Sequence, residues 1–347
     1  MAPIPNPQVL YDKIPTQYPL PGEHLIYQPD SETIDLENVP LDGGVLVKTL
    51  YASIDPYMRG RMRDPKVPSY SSPFELHKPG TGGLMVKVLR SESSKYKAGD
   101  HLITYAAEWR AYQVLSEDEA GRIVNNPYNL PWITFLGAAG GTARTAFYAL
   151  RVFGKLKAGE TIFISTAAGA VGSVAVQLAK LQGLKVIGST GDDQKLPYLR
   201  ELGVDVAFNY KKQSVWDVLK ENGPINVYFD NVGGEQLDAA LVNAAPTKAR
   251  FIMCGYASEY NGEEPYGVKH MDQVLKKRIS MNGFLVGELV AEYGEDAWVN
   301  EYLPLIRDGK INFRIEEVHG LENLAAGLLK ILKGENNGKG IVVVAED

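Results

Sequence analysis

Cysteine is nearly absent. Cys254 is the only one among 347 residues, so no internal disulfide can form and no four-cysteine zinc site can be built. That usage fits a reducing compartment. Histidine is scarce too: His24, His77, His101, His270 and His319 are the full set. None lies three or four positions from another histidine or from the cysteine. Counting leaves a three-ligand catalytic zinc open, but no spacing supports one, and no metal is expected. No Gly-x-Ser-x-Gly elbow is present, which disfavours a serine hydrolase. Long basic runs are missing, Lys276-Lys277-Arg278 is the densest cluster, and the net charge is −6. Nucleic-acid binding therefore has no electrostatic footprint. The opening MAPIPNPQVLYDK has no basic region followed by an apolar run, so no secretory signal is read and the cytoplasm is the expected location. No internal repeat or low-complexity tract is visible.

What is present changes texture along the chain. Residues 1–30 carry Pro3, Pro5, Pro7, Pro15, Pro19 and Pro21, which predicts an extended arm over the surface. Gly44–Tyr51, Gly80–Leu89, Lys97–Tyr105 and Trp109–Leu115 read as short strands of a β-rich, partly barrel-like unit. Between them, residues 60–80 hold Pro65, Pro68, Pro73 and Pro79 among polar residues and read as a mobile loop. From Trp132 onward, helix and strand patterns alternate. Strands are expected at Val206–Tyr210, Asn226–Asp230, Arg250–Cys254 and Ile279–Val286. Helices are expected at Leu196–Leu202, Val215–Glu221, Gln236–Ala244 and Trp298–Ile306. Ile311–Val318, a Leu321–Leu332 helix and Ile341–Val344 close the chain. Such alternation means a parallel, doubly wound α/β sheet.

The most informative stretch is Thr161–Thr190, TIFISTAAGAVGSVAVQLAKLQGLKVIGST. Thr161–Ser165 reads as a buried strand and Lys185–Ser189 as a second. Between them, Ala167-Ala168-Gly169-Ala170-Val171-Gly172 keeps the spacing of a dinucleotide fingerprint, with Ala167 in place of its first glycine. Gly169 would let backbone approach a pyrophosphate, and Gly172 would let the helix pack close to its strand. Val171, Val174, Leu178 and Leu181 are the expected apolar face of that helix. Residues 161–179 carry no charge, a length a membrane helix could use, but Gly169 and Gly172 break the run in the phosphate-loop pattern.

An NAD site places a carboxylate at the end of the second strand. Here the strand ends Gly188-Ser189-Thr190-Gly191, and Lys195 follows, leaving space and a cation for a 2′-phosphate. This favours NADPH over NADH, although Asp192 and Asp193 weaken the signal. On spacing alone, Lys195 reads better as a solvated lysine on a helix's first turn. With no metal to polarise an alcohol or aldehyde, hydride transfer from the cofactor best suits a conjugated carbonyl. Its charge delocalises onto oxygen as an enolate, which a phenol or ribose hydroxyl can hold.

Further segments carry a resemblance: SIDPYMRGRM at 53–62, AAGAVGSVAVQLAK at 167–180 and YLRELGVDVAFNYK at 198–211. To these add VYFDNVGGE at 227–235, CGYASEYN at 254–261 and GKGIVVV at 338–344. Over nearly its whole length the chain resembles the zinc-independent medium-chain dehydrogenases/reductases. Within them it resembles the NADPH-dependent alkenal/enone double-bond reductases, which include the prostaglandin reductases. The resemblance implies a Rossmann doubly wound sheet inserted in a β-rich, GroES-like catalytic domain. Residues 1–127 and 313–347 would form the catalytic domain and 128–312 the NADPH-binding domain, with the active site in the cleft. It implies that Ala168, Gly169, Ala170 and Val171 face the pyrophosphate, and that Gly191, Lys195 and Tyr210 surround the 2′-phosphate. Asn231, Cys254, Phe284, Leu285 and Val286 would line the nicotinamide half, and Asn336 would reach the cofactor from the C-terminal segment.

Tyr57 and Tyr260 match the family's two active-site tyrosines, with Tyr260 also beside the cofactor. By residue type alone, Tyr57 is a core aromatic and Tyr260 a surface-loop tyrosine. The implied activity is reduction of the C=C bond of an α,β-unsaturated aldehyde or ketone. NADPH-dependent quinone or carbonyl reduction is the alternative, and a non-catalytic, crystallin-like NADPH-binding protein is a second. A homodimer joined edge to edge along Ile279–Val286 is the family expectation. No membrane or nucleic-acid partner is expected. Gly80-Thr81-Gly82-Gly83 stands where the zinc enzymes carry Gly-His-Glu. The segments 64–79 and 259–270 are the least family-like and are expected to shape the substrate pocket.

Overall fold

In the computed structural model the described residues are 2–262 and 264–347; Glu263, within the 259–270 stretch, lies outside them. The chain divides into two units, Gly137–Arg314 and Met1–Leu136 with Ile315–Asp347. Among the described residues no helix is long and apolar enough to cross a membrane.

The Thr161–Ile164 strand lies inside a six-stranded sheet of the 137–314 unit. The order across it is Val206–Asn209, Lys185–Thr190, Thr161–Ile164, Val227–Asp230, Arg250–Met253, Ser280–Gly283. Every pairing is parallel. The order runs outward from Thr161–Ile164 in one direction and then restarts beside it at Val227–Asp230, a topological switch point. Short apolar strands fill the middle. Ile162, Phe163, Ile164, Val227, Tyr228 and Phe229 are fully buried, and the Phe163 and Tyr228 rings stack at 4.9 Å. That burial on both faces is what an all-parallel sheet requires.

The helix after the first strand spans Ala170–Leu181, and its buried face is only partly the expected one: Val174 is fully buried and Val171 and Leu178 are half-buried. Gly172, Ala175, Val176 and Ala179, at i, i+3, i+4 and i+7, are buried, whereas Leu181 is 52% exposed. Small residues let this helix lie close to the neighbouring helix Gly141–Ala149 and to the sheet. Helix Gly141–Ala149, continued by a wider turn to Gly154, has no counterpart in the expectations. Its signal was available: Ala143, Ala146, Phe147 and Leu150 share a helical face and are all buried. Ile279–Val286 is not one strand. Pairing stops at Met253–Gly283, where the partner strand ends, and a helix begins at Val286.

In the other unit, Val45–Ser53 pairs antiparallel with Leu84–Ser91, with Tyr112–Leu115 and with the C-terminal strand Lys339–Val343. Two sequence expectations are corrected here. The proline-rich arm does not merely cover the surface, because Gln8–Tyr11 pairs with Leu25–Gln28 and buries Val9, Tyr11 and Leu25 in the core. Residues 60–80 are pinned rather than loose. Phe74 is buried, with its ring 5.3 Å from that of Trp109. Arg61 donates to the Ser72 and Thr81 carbonyls at 2.9 and 3.0 Å, and Arg63 to those of Gly60 and Val67, both at 2.9 Å.

Candidate active site

In a parallel sheet every C-terminal strand end falls on one edge, and the segments that follow these ends carry most of the candidate residues. The first is the glycine turn. Thr166 adopts φ +51°, its N–H donates to Ser189 Oγ at 3.3 Å, and the Ala167 N–H donates to the Ser189 carbonyl at 2.8 Å. A Cβ at Gly172 would lie 2.3 Å from the Thr166 carbonyl oxygen, so helix and turn meet only because that residue is glycine. At Gly169, the helix N-cap, a Cβ would press on Thr166 at 3.1 Å. The amides of Ala170, Val171 and Gly172 stand in the first turn, where no helical acceptor exists, at the positive end of the helix dipole. Such a cradle fits a pyrophosphate.

Beside it, Gly191, Lys195 and Tyr210 are drawn into one neighbourhood by the adjacent strand ends. The Tyr210 N–H donates to the Thr190 carbonyl at 3.0 Å, and a Cβ at Gly191 would sit 3.1 Å from the Tyr210 ring and hydroxyl. Lys195 closes a short 3₁₀ turn, its N–H donating to the Asp192 carbonyl at 3.2 Å. The two carboxylates that weaken an anion-site reading are engaged elsewhere. Asp192 caps the Gln194 N–H at 2.9 Å, and Asp193 pairs with Lys212 and accepts from Asn209 at 2.6 Å. Hydrogen bonds from Lys212 and Asn209 hold the Asp193 carboxyl below its ordinary range.

Past the switch point, Asn231, Cys254 and Tyr260 come together. The Asn231 amide side chain donates to the Ser165 carbonyl at 2.7 Å, and its N–H donates to Ser165 Oγ at 2.8 Å, which ties this strand end to the glycine turn. The Tyr260 hydroxyl accepts from the Tyr256 N–H at 3.3 Å, and a Cβ at Gly255 would stand 3.4 Å from it. The Ala257 and Ser258 amides donate to the carbonyls of Asn231 and Val232 at 3.2 and 3.0 Å. Phe284 and Leu285 follow the last strand, Leu285 capping the helix that Val286 opens.

Asp230 stands in the VYFDNVGGE segment, ahead of Asn231. Fully buried, it accepts from the Tyr228 hydroxyl at 2.7 Å and from the Val232 and Gly233 amides at 2.9 and 2.8 Å. Burial raises its carboxyl above the ordinary range despite those donors, and Oδ2 has no partner. Cys254 follows the neighbouring strand. Burial, and secondarily the Asp230 charge, push its thiol up to about 12, so it is no ready thiolate. Only its hydrogen-bonded setting reveals what Asp230 does, namely hold the turn that carries Asn231.

Tyr57 and Asn336 belong to the other unit. Tyr57 opens the helix Tyr57–Arg61 and packs on that unit's core, where burial raises its phenol well above the ordinary value. Asn336 donates its amide to the Gly338 carbonyl at 2.6 Å.

Two family models match the chain: a zinc-binding dehydrogenase over residues 170–303 and an N-terminal domain of oxidoreductase over 28–123. A zinc-type alcohol dehydrogenase-like protein of Schizosaccharomyces pombe is 42% identical, with 95% of both chains covered. The NADP(+)-dependent 2-alkenal reductase of Nicotiana tabacum is 35% identical, with 99% of both covered. The solved structure of CurA from Vibrio vulnificus in complex with NADPH superposes with a TM-score of 0.82 at 29% identity, covering 98% of this chain and 100% of that one. Fold and site thus define a nucleotide-dependent oxidoreductase. The chain belongs to the medium-chain dehydrogenase/reductase family. Among the described residues no group of three or more His, Cys, Asp or Glu side chains is placed to hold a metal ion.

Proposed function

We propose that this protein is an NADPH-dependent reductase of the C=C bond in α,β-unsaturated aldehydes and ketones. The observation that carries the reading is the Tyr260 hydroxyl, set beside Gly255 and Asn231 on the edge that holds the phosphate cradle. The Ala168–Val171 turn would take the pyrophosphate. Gly191, Lys195 and Tyr210 would take the 2′-phosphate, in a neighbourhood whose carboxylates are already engaged. Asn231, Cys254 and Phe284–Val286 would lie along the nicotinamide half, with Asn336 reaching the cofactor. When bound, NADPH supplies the hydride, which is accepted at the substrate β-carbon. Tyr260 would hold the resulting enolate oxygen by hydrogen bonding, and a proton from Tyr260 or water completes the α-carbon. Tyr57 would pack against or hydrogen-bond the substrate. Two copies would join along the outer edge of Ser280–Gly283, whose inner edge pairs with Arg250–Met253. Elution at the monomer mass in gel filtration at micromolar concentration removes that last element. The activity is tested with NADPH and a panel of enals, enones, quinones and simple ketones. The expected products are saturated aldehydes and ketones, whereas turnover confined to quinones or carbonyl carbons contradicts the reading. Tight NADPH binding without turnover would place the chain with non-catalytic relatives.

A further inference from the structure

Asp238 has no part in the reaction as described. It sits on the helix Gly234–Asn243 and is fully buried. A carboxylate out of water is strongly disfavoured unless donors replace its hydration. Four hydrogen bonds do so, all from one short segment. The Tyr266 hydroxyl reaches Oδ2 at 3.0 Å. The Lys269 and His270 amides reach Oδ1 at 3.1 and 2.9 Å, and His270 Nδ1 lies 3.0 Å from the same oxygen. Burial works to raise this carboxyl, yet the bonds from His270, Tyr266 and Lys269 outweigh it and hold it below the ordinary range. Trp216 meets the His270 ring edge-on at 5.6 Å and donates to Glu235 at 2.9 Å, so a neighbouring helix backs the same contact.

The near end of this segment is tied as well. The Ala257 and Ser258 amides and the Ser258 hydroxyl donate to the Asn231 and Val232 carbonyls at 3.2, 3.0 and 2.7 Å. The Tyr256 ring fills the space a side chain at Gly233 would need. One continuous stretch, 231–238, therefore grips the chain on both sides of Tyr260. We propose that Asp238 is a positioning residue, which fixes the segment after Tyr260 and so sets where the tyrosine hydroxyl meets an unsaturated carbonyl substrate. The inference rests on the proposed substrate-facing role of Tyr260. Asp238 itself touches neither substrate nor cofactor.

The test compares Asp238→Ala, Asp238→Asn and a Tyr266→Phe/His270→Ala double variant in the NADPH-saturated enzyme. Amide exchange over 264–270, enone KM and kcat, and NADPH affinity are read for each. Losing the acceptor should speed exchange there about tenfold and raise enone KM about tenfold, with NADPH affinity changed less than about twofold. Asp238→Asn keeps an oxygen for the two amides while the Tyr266 hydroxyl turns to accept, so it should recover most of both losses. If Asp238→Ala does not fold, the double variant reads the same effects at about threefold, through groups at the segment's own end. Unchanged exchange and unchanged KM in any folded Ala-bearing variant overturn the proposal. So does a loss of NADPH affinity that matches the rise in KM. A wild-type enzyme inactive on every enone defeats the substrate reading instead, while faster exchange in the variants still supports the clamp.

Discussion

Two segments of the same sheet edge are held in different ways. The turn at 165–172 is fixed by backbone: a left-handed Thr166, amides donating to Ser189, and a glycine with no room for a methyl group. The segments 254–262 and 264–270 add side-chain tethers to their backbone bonds, with Ser258, Tyr266 and His270 bonded through their side chains to residues of 231–238. Backbone constraints demand particular residues at particular spacings, and they recur whatever the substrate. Side-chain tethers can be made many ways and are free to follow it. The first segment therefore speaks for the cofactor and the second for the chemistry.

Breaking the backbone constraint should do most damage. Gly172→Val would drive a side chain into the Thr166 carbonyl, now 2.3 Å from a bare Cβ. A loss of at least about 3 kcal/mol in thermal unfolding is expected, together with loss of NADPH binding. Breaking the chemical segment should spare binding. Tyr260→Phe is expected to cut kcat about 100-fold, and NADPH affinity measured by fluorescence titration should hold within about twofold. An unchanged kcat would erase the contrast between the segments. Lys195→Ala sharpens it from the cofactor side. KM for NADPH should rise about tenfold with KM for NADH unmoved, and equal rises would show a general structural defect. The smallest effect concerns the helix that follows the turn. Val174→Ala, at a fully buried site, should cost about 2 kcal/mol, while Leu181→Ala, 52% exposed, should stay within about 0.5 kcal/mol in urea unfolding.

What was legible in the sequence follows the same division. The strand positions rest on short apolar runs between turns, and the glycine turn rests on Gly169 and Gly172, so both could be read from spacing. The apolar spacing of the Ala170–Leu181 helix marks Val174 correctly but favours large residues such as Leu181 over small ones, whereas close packing selects Gly172, Ala175 and Ala179. Helix Gly141–Ala149 has a legible apolar face, but the paired glycines Gly140 and Gly141 at its start weaken that signal. The pinning of residues 60–80 depends on where Arg61 and Arg63 aim their guanidinium groups, and the proline content says nothing about that. Nothing in the sequence distinguishes Asp230 or Asp238 from other acidic residues. Only tertiary structure buries them and surrounds them with donors. Pocket-shaping side chains follow the same rule, which is why the substrate class rests on Tyr260 and its surroundings.

The central claim is that hydride reaches the β-carbon, not the carbonyl carbon, of a conjugated substrate. It is tested most directly with NADPH deuterated at C4 of the nicotinamide and a simple enone, followed by NMR of the product. The expected product is the saturated ketone with deuterium on the former β-carbon. Deuterium on the carbinol carbon of an allylic alcohol would contradict the account.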